Sequence, residues 1–317
     1  MGVQEEKLVE KISEIYDRIS KLPSLSPSKE ANTLFTELVL ACIPPSPIDV
    51  SKLGKEVQEM RSRLIQLCGQ AEGLLESHYS DILADTYDNP IDHLNLFPYY
   101  SNYLQLSLLE YTLLARHATS PPTSRVAFVG SGPLPLSSLV LAARHMRVAR
   151  FDNYDVDPSA TARARRLVRA DPDLGARVAF RTADLFGLTR ELAGHDVVFL
   201  AALVGVEREE KLQAVEHLAR HMAHGAHLVL RSAHGARAFL YPVVEPGDLK
   251  GFEVLSVYHP SDEVINSVII ARKPKHGGVG TGAVMRTCKC CEMMQGINHL
   301  GHGAPMIEEM ALEELPS

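Results

Sequence analysis

The spacing of apolar residues changes about a third of the way along the chain. In the first part they recur every three or four positions, as in Leu8, Ile12 and Ile15, which is the period of one helix face. After that, short apolar runs alternate with helical ones, the βαβ alternation of a doubly wound parallel sheet. The pattern predicts an all-helical domain over residues 1–119 and an α/β domain over residues 120–274.

The α/β domain is expected to contain seven strands. They are Val126–Val129, Arg150–Tyr154, Val178–Arg181, Asp196–Leu200, His227–Arg231, Phe252–Tyr258 and Ser267–Arg272. The predicted helices between them are Leu134–His145, Ala160–Ala170 and Glu207–His221. A short polar loop joins the last two strands, which favours an antiparallel hairpin at one edge. This order resembles the class I methyltransferase-like Rossmann sheet of S-adenosylmethionine-dependent transferases.

Composition and charge exclude several classes of protein. The net charge of -7 argues against nucleic acid as the main partner, because phosphate binding depends on Lys and Arg. No apolar run is long enough to predict a transmembrane segment, and the charged N-terminus lacks the apolar core of a secretory signal. We expect a cytoplasmic protein without a disulfide framework. The sequence leaves its oligomeric state open.

A glycine turn follows the first predicted strand and opens an apolar helix. Gly130, Ser131 and Gly132 form this turn, where a side chain would block the approach of a nucleotide to the backbone. Pro135 replaces the third glycine of the dinucleotide fingerprint, so a pyrophosphate fits less well here. The turn predicts a nucleoside ligand of another kind.

Acidic residues follow the second and third predicted strands. Asp155, with Asp157 as the alternative, is placed to accept the ribose hydroxyls, and Asp184 to accept the adenine amino group. Asp155 and Asp184 can instead cap a helix or lie in a solvated turn. The ordered set of glycine turn and aspartates favours an S-adenosylmethionine site.

A tyrosine-rich segment lies just before the α/β domain. Tyr99, Tyr100 and Tyr103 fall within five residues, although clustered tyrosines more often serve packing than catalysis. The segment Asn89–Tyr111 that holds them resembles the nicotianamine synthases of plants. The resemblance covers nearly the whole chain and includes Leu22–Pro27, Thr33–Leu38, the Gly-Ser-Gly-Pro-Leu-Pro turn and a Cys-Lys-Cys-Cys run in the tail.

The resemblance implies transfer of a 3-amino-3-carboxypropyl group rather than a methyl group. Three S-adenosylmethionine molecules would condense to nicotianamine and release three methylthioadenosines, with the donor as substrate and no tightly bound cofactor. A sulfonium activates each of its three attached carbons, so the protein must hold the amine nucleophile near Cγ, in line with the departing sulfur. An ammonium group has no lone pair, so a general base is also required.

Glu76 is the candidate for this base. It lies beside Leu74 and Leu75 in a predicted helix, where partial burial would raise the pKa of its carboxyl. A solvated helix face is the alternative. The family resemblance implies a catalytic glutamate and tyrosine from this region, and either Tyr100 or Tyr103 matches.

Arg231 ends a predicted strand and is a candidate for binding the substrate carboxylate through its guanidinium fork. The alternative is an exposed strand end. In either case its charge is expected at the edge of the sheet where the donor binds.

Residues 275–317 are glycine-rich at their start and are expected to form a flexible tail. Cys288, Cys290 and Cys291 lie there, followed by two histidines. Their spacing differs from the separated ligand pairs of a closed zinc site, so no metal site is predicted.

Two other functions stay open at this point. An ordinary S-adenosylmethionine-dependent methyltransferase shares the fold and the donor. A metal-binding or scaffold protein that retains the fold would bind the donor without converting it.

Overall fold

The helical pattern of the first third is confirmed. The computed structural model describes residues 3–46, 48–117 and 125–275. The first four helices are α1 (Val3–Ile19), α2 (Lys29–Cys42), α3 (Lys55–Thr86) and α4 (Tyr100–Ala115). Ile12 and Ile15 are buried, as their spacing predicts. Ser28 caps α2, because its hydroxyl accepts a hydrogen bond from the Ala31 N–H at 3.2 Å.

The seven predicted strands are present and form one sheet. They are β1 (Arg125–Val129), β2 (Arg150–Asp155), β3 (Val178–Thr182), β4 (Val197–Leu200), β5 (His227–Ser232), β6 (Glu253–Tyr258) and β7 (Ser267–Arg272). Their order is β3-β2-β1-β4-β5-β7-β6. Strands β1 to β5 run parallel, and β7 pairs antiparallel with both β5 and β6. The predicted class I methyltransferase-like Rossmann sheet, with its antiparallel hairpin, is confirmed.

The helices of the α/β part differ slightly from the expected ones. They are α5 (Leu136–Val140), α6 (Pro158–Val168), α7 (Pro172–Arg177) and α8 (Arg208–His221). A π-helical turn, Leu141–His145, continues α5. The second predicted helix ends earlier than expected, because the Asp171 side chain caps α7 by accepting from two backbone N–H groups.

Helix α4 packs into the core of the sheet. Leu106, Leu113 and Leu114 of α4 are buried in the same cluster as Phe128 of β1 and Phe199 of β4. Apolar contact of this kind fixes the helix on the sheet over its last three turns. The predicted boundary between the two parts and the predicted tail both lie outside the described residues.

The N-terminal helices rest on the segment that follows β5. Leu34 and Leu38 of α2 share a buried cluster with Phe239 and Leu240 of that segment. This packing carries Tyr241, the next residue, to the inner side of the helices, where its hydroxyl reaches α3.

Helix α3 is long, and it carries both apolar and polar side chains toward the rest of the protein, among them Leu83 in the core of the sheet and the buried Glu76. Within the three described ranges, no helix combines the length and the apolar character needed to span a membrane. The polar face of α3 instead meets the turn that follows β1, at the carboxyl edge of the parallel strands.

Candidate active site

The glycine turn after β1 is held tightly against β2. The N–H groups of Gly130 and Ser131 both donate to the Tyr154 carbonyl, at 2.8 and 3.2 Å. Gly130 has φ +80°, and a Cβ there would lie 2.3 Å from a methyl carbon of Val204. Only glycine satisfies both conditions. The Ser131 hydroxyl is buried and has no hydrogen-bond partner within the described part of the chain, which leaves it available to a ligand.

Gly132 joins three of the predicted site residues. Its N–H donates to Asp155 Oδ2 at 2.8 Å, while Asp155 Oδ1 accepts from the Asp157 N–H at 3.0 Å. Gly132 has φ +68°, and a Cβ on it would lie 2.6 Å from Glu76 Oε2. The structure therefore brings the glycine turn, Asp155 and Glu76 together.

A second carboxylate lies beside Glu76. Glu72 stands one turn earlier on α3, and the hydroxyl of Tyr103 lies 3.2 Å from Glu72 Oε1 and 3.3 Å from Glu76 Oε1. Tyr241 donates to Glu72 Oε2 at 3.1 Å. The Tyr103 hydroxyl has one proton for two carboxyl groups, so its hydrogen bonds are complete when one of the glutamates is protonated.

Burial dominates the electrostatics of this pair. Glu76 is only 8% exposed, and desolvation, followed by the charge of Glu72, raises the pKa of Glu76 well above its ordinary value. Burial also raises the pKa of Glu72, against the hydrogen bonds from the two tyrosines. Two carboxyl groups in contact through one hydroxyl, both with raised pKa values, are typical of a site that holds and transfers a proton.

Tyr100 does not join this cluster. Its hydroxyl accepts a hydrogen bond from Arg144 at 3.3 Å, on a partly exposed surface of α4. Tyr103, about one turn further along α4, carries the hydroxyl that meets Glu76. Of the two tyrosines that matched the family, the geometry therefore points to Tyr103.

Asp157 and Asp184 are both caps in the structure. Asp157 accepts from the Ser159 N–H at the start of α6, and Asp184 from the Phe186 N–H in a short 3₁₀ turn, each at 2.8 Å. Both aspartates are exposed. Capping uses one carboxylate oxygen and leaves the other free for a ligand.

Arg231 is neither a free clamp nor an exposed strand end. It is 7% exposed and donates from Nε and Nη2 to the two carboxylate oxygens of Glu110, at 2.7 and 3.0 Å. Nη2 also donates to the Ser137 hydroxyl at 2.6 Å. The guanidinium is paired because a buried positive charge needs a counter-charge, which Glu110 of α4 supplies. The alternative of an exposed strand end is wrong, and binding of the substrate carboxylate by Arg231 stays a prediction.

The sequence reasoning missed Glu72 and Tyr241. The spacing of four between Glu72 and Glu76 was a usable signal, since it places both carboxyl groups on one face of a helix. Tyr241 had no local signal, because only the packing of the segment after β5 brings it to α3. Among the described residues, no group of three His, Cys, Asp or Glu side chains is placed to hold a metal ion. The cysteine-rich run lies outside them.

The family of the chain follows from comparison with known proteins. The model of the nicotianamine synthase protein family matches residues 2–277. The chain belongs to the nicotianamine synthase family. Nicotianamine synthase 9 of Hordeum vulgare is 66% identical over 273 residues, which cover 86% of this chain and 80% of that protein. The nicotianamine synthase of Solanum lycopersicum is 56% identical over 313 residues, which cover 97% of this chain and 98% of that protein.

Solved structures of a nicotianamine synthase named MtNAS share this fold. The structure of MtNAS in complex with MTA and tNA has a TM-score of 0.68 and 23% identity, and it covers 86% of this chain and 99% of MtNAS. A variant of MtNAS in complex with S-adenosylmethionine has a TM-score of 0.67 and 24% identity, over 84% of this chain and 98% of MtNAS. The likeness extends over the helices as well as the sheet.

Proposed function

We propose that this chain condenses three molecules of S-adenosylmethionine into nicotianamine and releases three methylthioadenosines. Family membership supports the reaction. The observation that carries the mechanism is the contact between Glu76 and Gly132, because it sets a carboxyl group of raised pKa directly against the turn that binds the donor.

The glycine turn and Asp155 hold the donor. The two oxygens of Asp155 each accept one backbone N–H, so the carboxylate is fixed in place and keeps lone pairs for the ribose hydroxyls. The buried hydroxyl of Ser131 supplies a further polar contact from within the turn. Asp184 stands beyond β3, where an adenine amino group would reach it.

Glu76 is the general base in this proposal. It takes a proton from the attacking ammonium group, and the nitrogen lone pair then forms a bond to Cγ of the donor. The Cγ–sulfur bond breaks, and its electron pair returns to sulfur, which leaves as the neutral thioether of methylthioadenosine. A pKa raised toward that of the amine improves the proton transfer, which is the condition for an effective base.

Tyr103 and Glu72 provide a path for the proton that Glu76 takes up. The Tyr103 hydroxyl connects the two carboxyl groups and can pass a proton between them without any backbone movement. Glu76 can thus return to its charged form by passing its proton to an ionised Glu72, which then releases that proton to solvent before the next condensation. A sequence of three condensations needs such a return after each step.

Position decides which carbon of the sulfonium reacts. A methyltransferase places its acceptor at the methyl group, whereas the proposed reaction requires the amine on the Cγ side, near the glutamate pair. The reacting atoms must meet within about 3–3.5 Å. The close approach of Glu76 to Gly132 supports a base inside the donor site rather than at its mouth.

A product assay with S-adenosylmethionine as the sole substrate tests the proposal. Mass spectrometry is expected to detect nicotianamine and methylthioadenosine, in a ratio of one to three. Formation of S-adenosylhomocysteine instead would establish a methyltransferase. Donor binding without either product would establish a binding or scaffold protein.

A further inference from the structure

A short loop after β4, residues 201–205, lies between the glycine turn and α3. A methyl carbon of Val204 lies 2.3 Å from the position of a Cβ on Gly130, so it rests directly on the turn. Leu203 lies 3.4 Å from the position of a Cβ on Gly69 of α3. Gly69, Glu72 and Glu76 share one face of α3, since they are three and seven residues apart. The β4 loop therefore touches both halves of the proposed site.

A buried lysine of α8, Lys211, is hydrogen-bonded to the backbone of this loop. Lys211, in the first turns of α8, is 2% exposed, and its ammonium donates to the carbonyls of Ala202 and Ala201, at 2.8 and 3.3 Å. The backbone of the loop also packs closely against α8, because a Cβ on Gly205 would lie 2.7 Å from the backbone nitrogen of Lys211. The described residues offer Lys211 no carboxylate partner.

An ammonium in this position is costly. Desolvation lowers the pKa of Lys211 to about 7, because no negative charge offsets its burial. A methionine would fill the same space without that cost. It would, however, leave the Ala202 carbonyl without its donor, and an unpaired buried polar group is itself destabilising. The hydrogen bonds from Lys211 to the loop carbonyls offset the cost of its burial and hold the backbone of the loop in place.

We propose that Lys211 is a positioning residue for the donor pocket, acting through the two carbonyls of the β4 loop to keep Val204 on Gly130 and Leu203 on Gly69. This inference deepens the proposed function and rests on it for the identity of the donor. It assigns to Lys211 no contact with substrate. Its effect is on the shape of the pocket wall that the β4 loop forms.

Lys211→Met tests the proposal, with Lys250→Met as a matched control because Lys250 is exposed. S-adenosylmethionine binding is measured by calorimetry in the Glu76→Gln background, where turnover is expected to be blocked, and kcat and KM are measured in the Glu76 protein by methylthioadenosine release. We expect Lys211→Met to weaken donor binding and raise KM by roughly tenfold, with a smaller change in kcat, as expected for loss of hydrogen bonds from a charged donor. The Lys250→Met control is expected to match the wild type in donor affinity, kcat and KM.

Circular dichroism and urea melts establish that the variant is folded. A folded Lys211→Met protein that binds the donor with wild-type affinity would overturn the proposal. If the methionine variant does not fold, Lys211→Gln carries the test, because its amide still donates to a loop carbonyl while the charge is lost. Its donor affinity is then expected to fall by several-fold, and an unchanged affinity would count against Lys211. Wild-type protein that binds the donor but forms no methylthioadenosine would instead refute the proposed function and leave the binding comparison intact.

Discussion

Two buried carboxylates, Asp152 of β2 and Glu76 of α3, have opposite electrostatics. Asp152 of β2 accepts from His195 at 3.0 Å and from Arg125 at 2.9 Å, and Arg181 adds a third partner at 3.3 Å. The hydrogen bond from His195 and then that from Arg125 hold the pKa of Asp152 well below its ordinary value. Cationic partners thus keep this aspartate charged, although its side chain is only 10% exposed.

Glu76 has a neutral hydrogen-bond partner, Tyr103, and two carboxylate neighbours, Glu72 and Asp155. Arg231, whose charge also acts on Glu76, is paired with Glu110. Burial then raises the pKa of Glu76, and the charge of Arg231 lowers it by less. The comparison indicates how the fold gives the proposed base surroundings that differ from those of a structural carboxylate. Asp152 is paired with two arginines, Arg125 and Arg181. The arginine whose charge acts on Glu76 is paired with Glu110 instead.

The largest effect is expected from removing the reactive carboxylate. Glu76→Gln keeps the shape of the side chain but cannot take a proton. We expect methylthioadenosine formation to fall by roughly 10²–10⁴-fold, the usual contribution of a general base. Steady-state assays at saturating donor measure this loss.

Glu59→Gln is the matched control. Glu59 lies on the same helix, its side chain is 58% exposed, and it pairs only loosely with Lys55 at 3.6 Å. Wild-type activity is expected for this variant. An active Glu76→Gln protein would remove Glu76 from the mechanism.

Loss of the structural carboxylate is expected to affect stability rather than activity. Asp152→Asn leaves His195 and two arginines without their shared anion. The arginine side chains are more than half exposed, so solvent screening limits the loss in unfolding free energy to about 2 kcal/mol. Urea melts measure it, while the specific activity of the folded protein is expected to stay the same.

Asp173→Asn gives the comparison for this variant. Asp173 pairs with Arg177 on the surface, and its side chain is 67% exposed. A change within about 0.5 kcal/mol is expected there. Equal losses in unfolding free energy for Asp152→Asn and Asp173→Asn would mean that the burial of Asp152 does not strengthen its ion pairs.

The two carboxylates should respond to pH with opposite signs. Asp152 has a depressed folded pKa, so its contribution to stability is present above about pH 4 and is lost as pH falls through the folded pKa. Glu76 has a raised folded pKa, so it costs stability as pH rises from about 4 toward that pKa.

Urea melts of both variants across pH 3–8 check these signs. The destabilisation caused by Asp152→Asn is expected to shrink as pH falls below about 4. The stability of Glu76→Gln relative to wild type is expected to rise with pH over the window above about 4. Curves with the same sign would show that Glu76 is ionised in the free protein.

The smallest effect is expected at Tyr241, the residue without a sequence signal. Tyr241→Phe removes one hydrogen bond to Glu72, which raises the pKa of Glu72 and reduces its charge next to Glu76. The pKa of Glu76 should fall as a result. We expect less than a roughly tenfold loss in rate, with the acidic limb of kcat/KM displaced to lower pH.

Tyr16→Phe serves as its control, because Tyr16 packs among the N-terminal helices away from α3's carboxylates. An unchanged pH profile for Tyr241→Phe would exclude Tyr241 from the proton network. A displacement in the opposite direction would mean that Glu72 does not set the pKa of Glu76.

Local patterns predicted the fold well. Each strand was placed within one or two residues, because parallel strands buried on both faces read as continuous apolar runs. The glycine turn and Asp155 could also be found, since a turn between a strand and a helix has its own sequence chemistry. Glu76 was found through its apolar neighbours and a family resemblance.

Long-range contacts account for what the sequence did not predict. Arg231 and Glu110 are far apart in the chain, and nothing near either residue indicates the pair. The choice between Tyr100 and Tyr103 depended on the rotation of α4 about its axis, which the packing of α4 on the sheet determines. The cluster of Asp152 and His195 could not be predicted from the sequence for the same reason, because its members come from separate segments of the chain.

The contact between Glu76 and Gly132 also bears on how the protein tolerates salt. Ion pairs between α3 and α6, such as Arg163 with Asp81, weaken as ionic strength rises, because mobile ions screen partly exposed charges. The close approach of Glu76 to the glycine turn depends instead on steric space, because a Cβ on Gly132 would lie 2.6 Å from Glu76 Oε2. Steric exclusion has no ionic-strength dependence, so the alignment of base and donor is built to hold over the whole range in which the surface charges are screened.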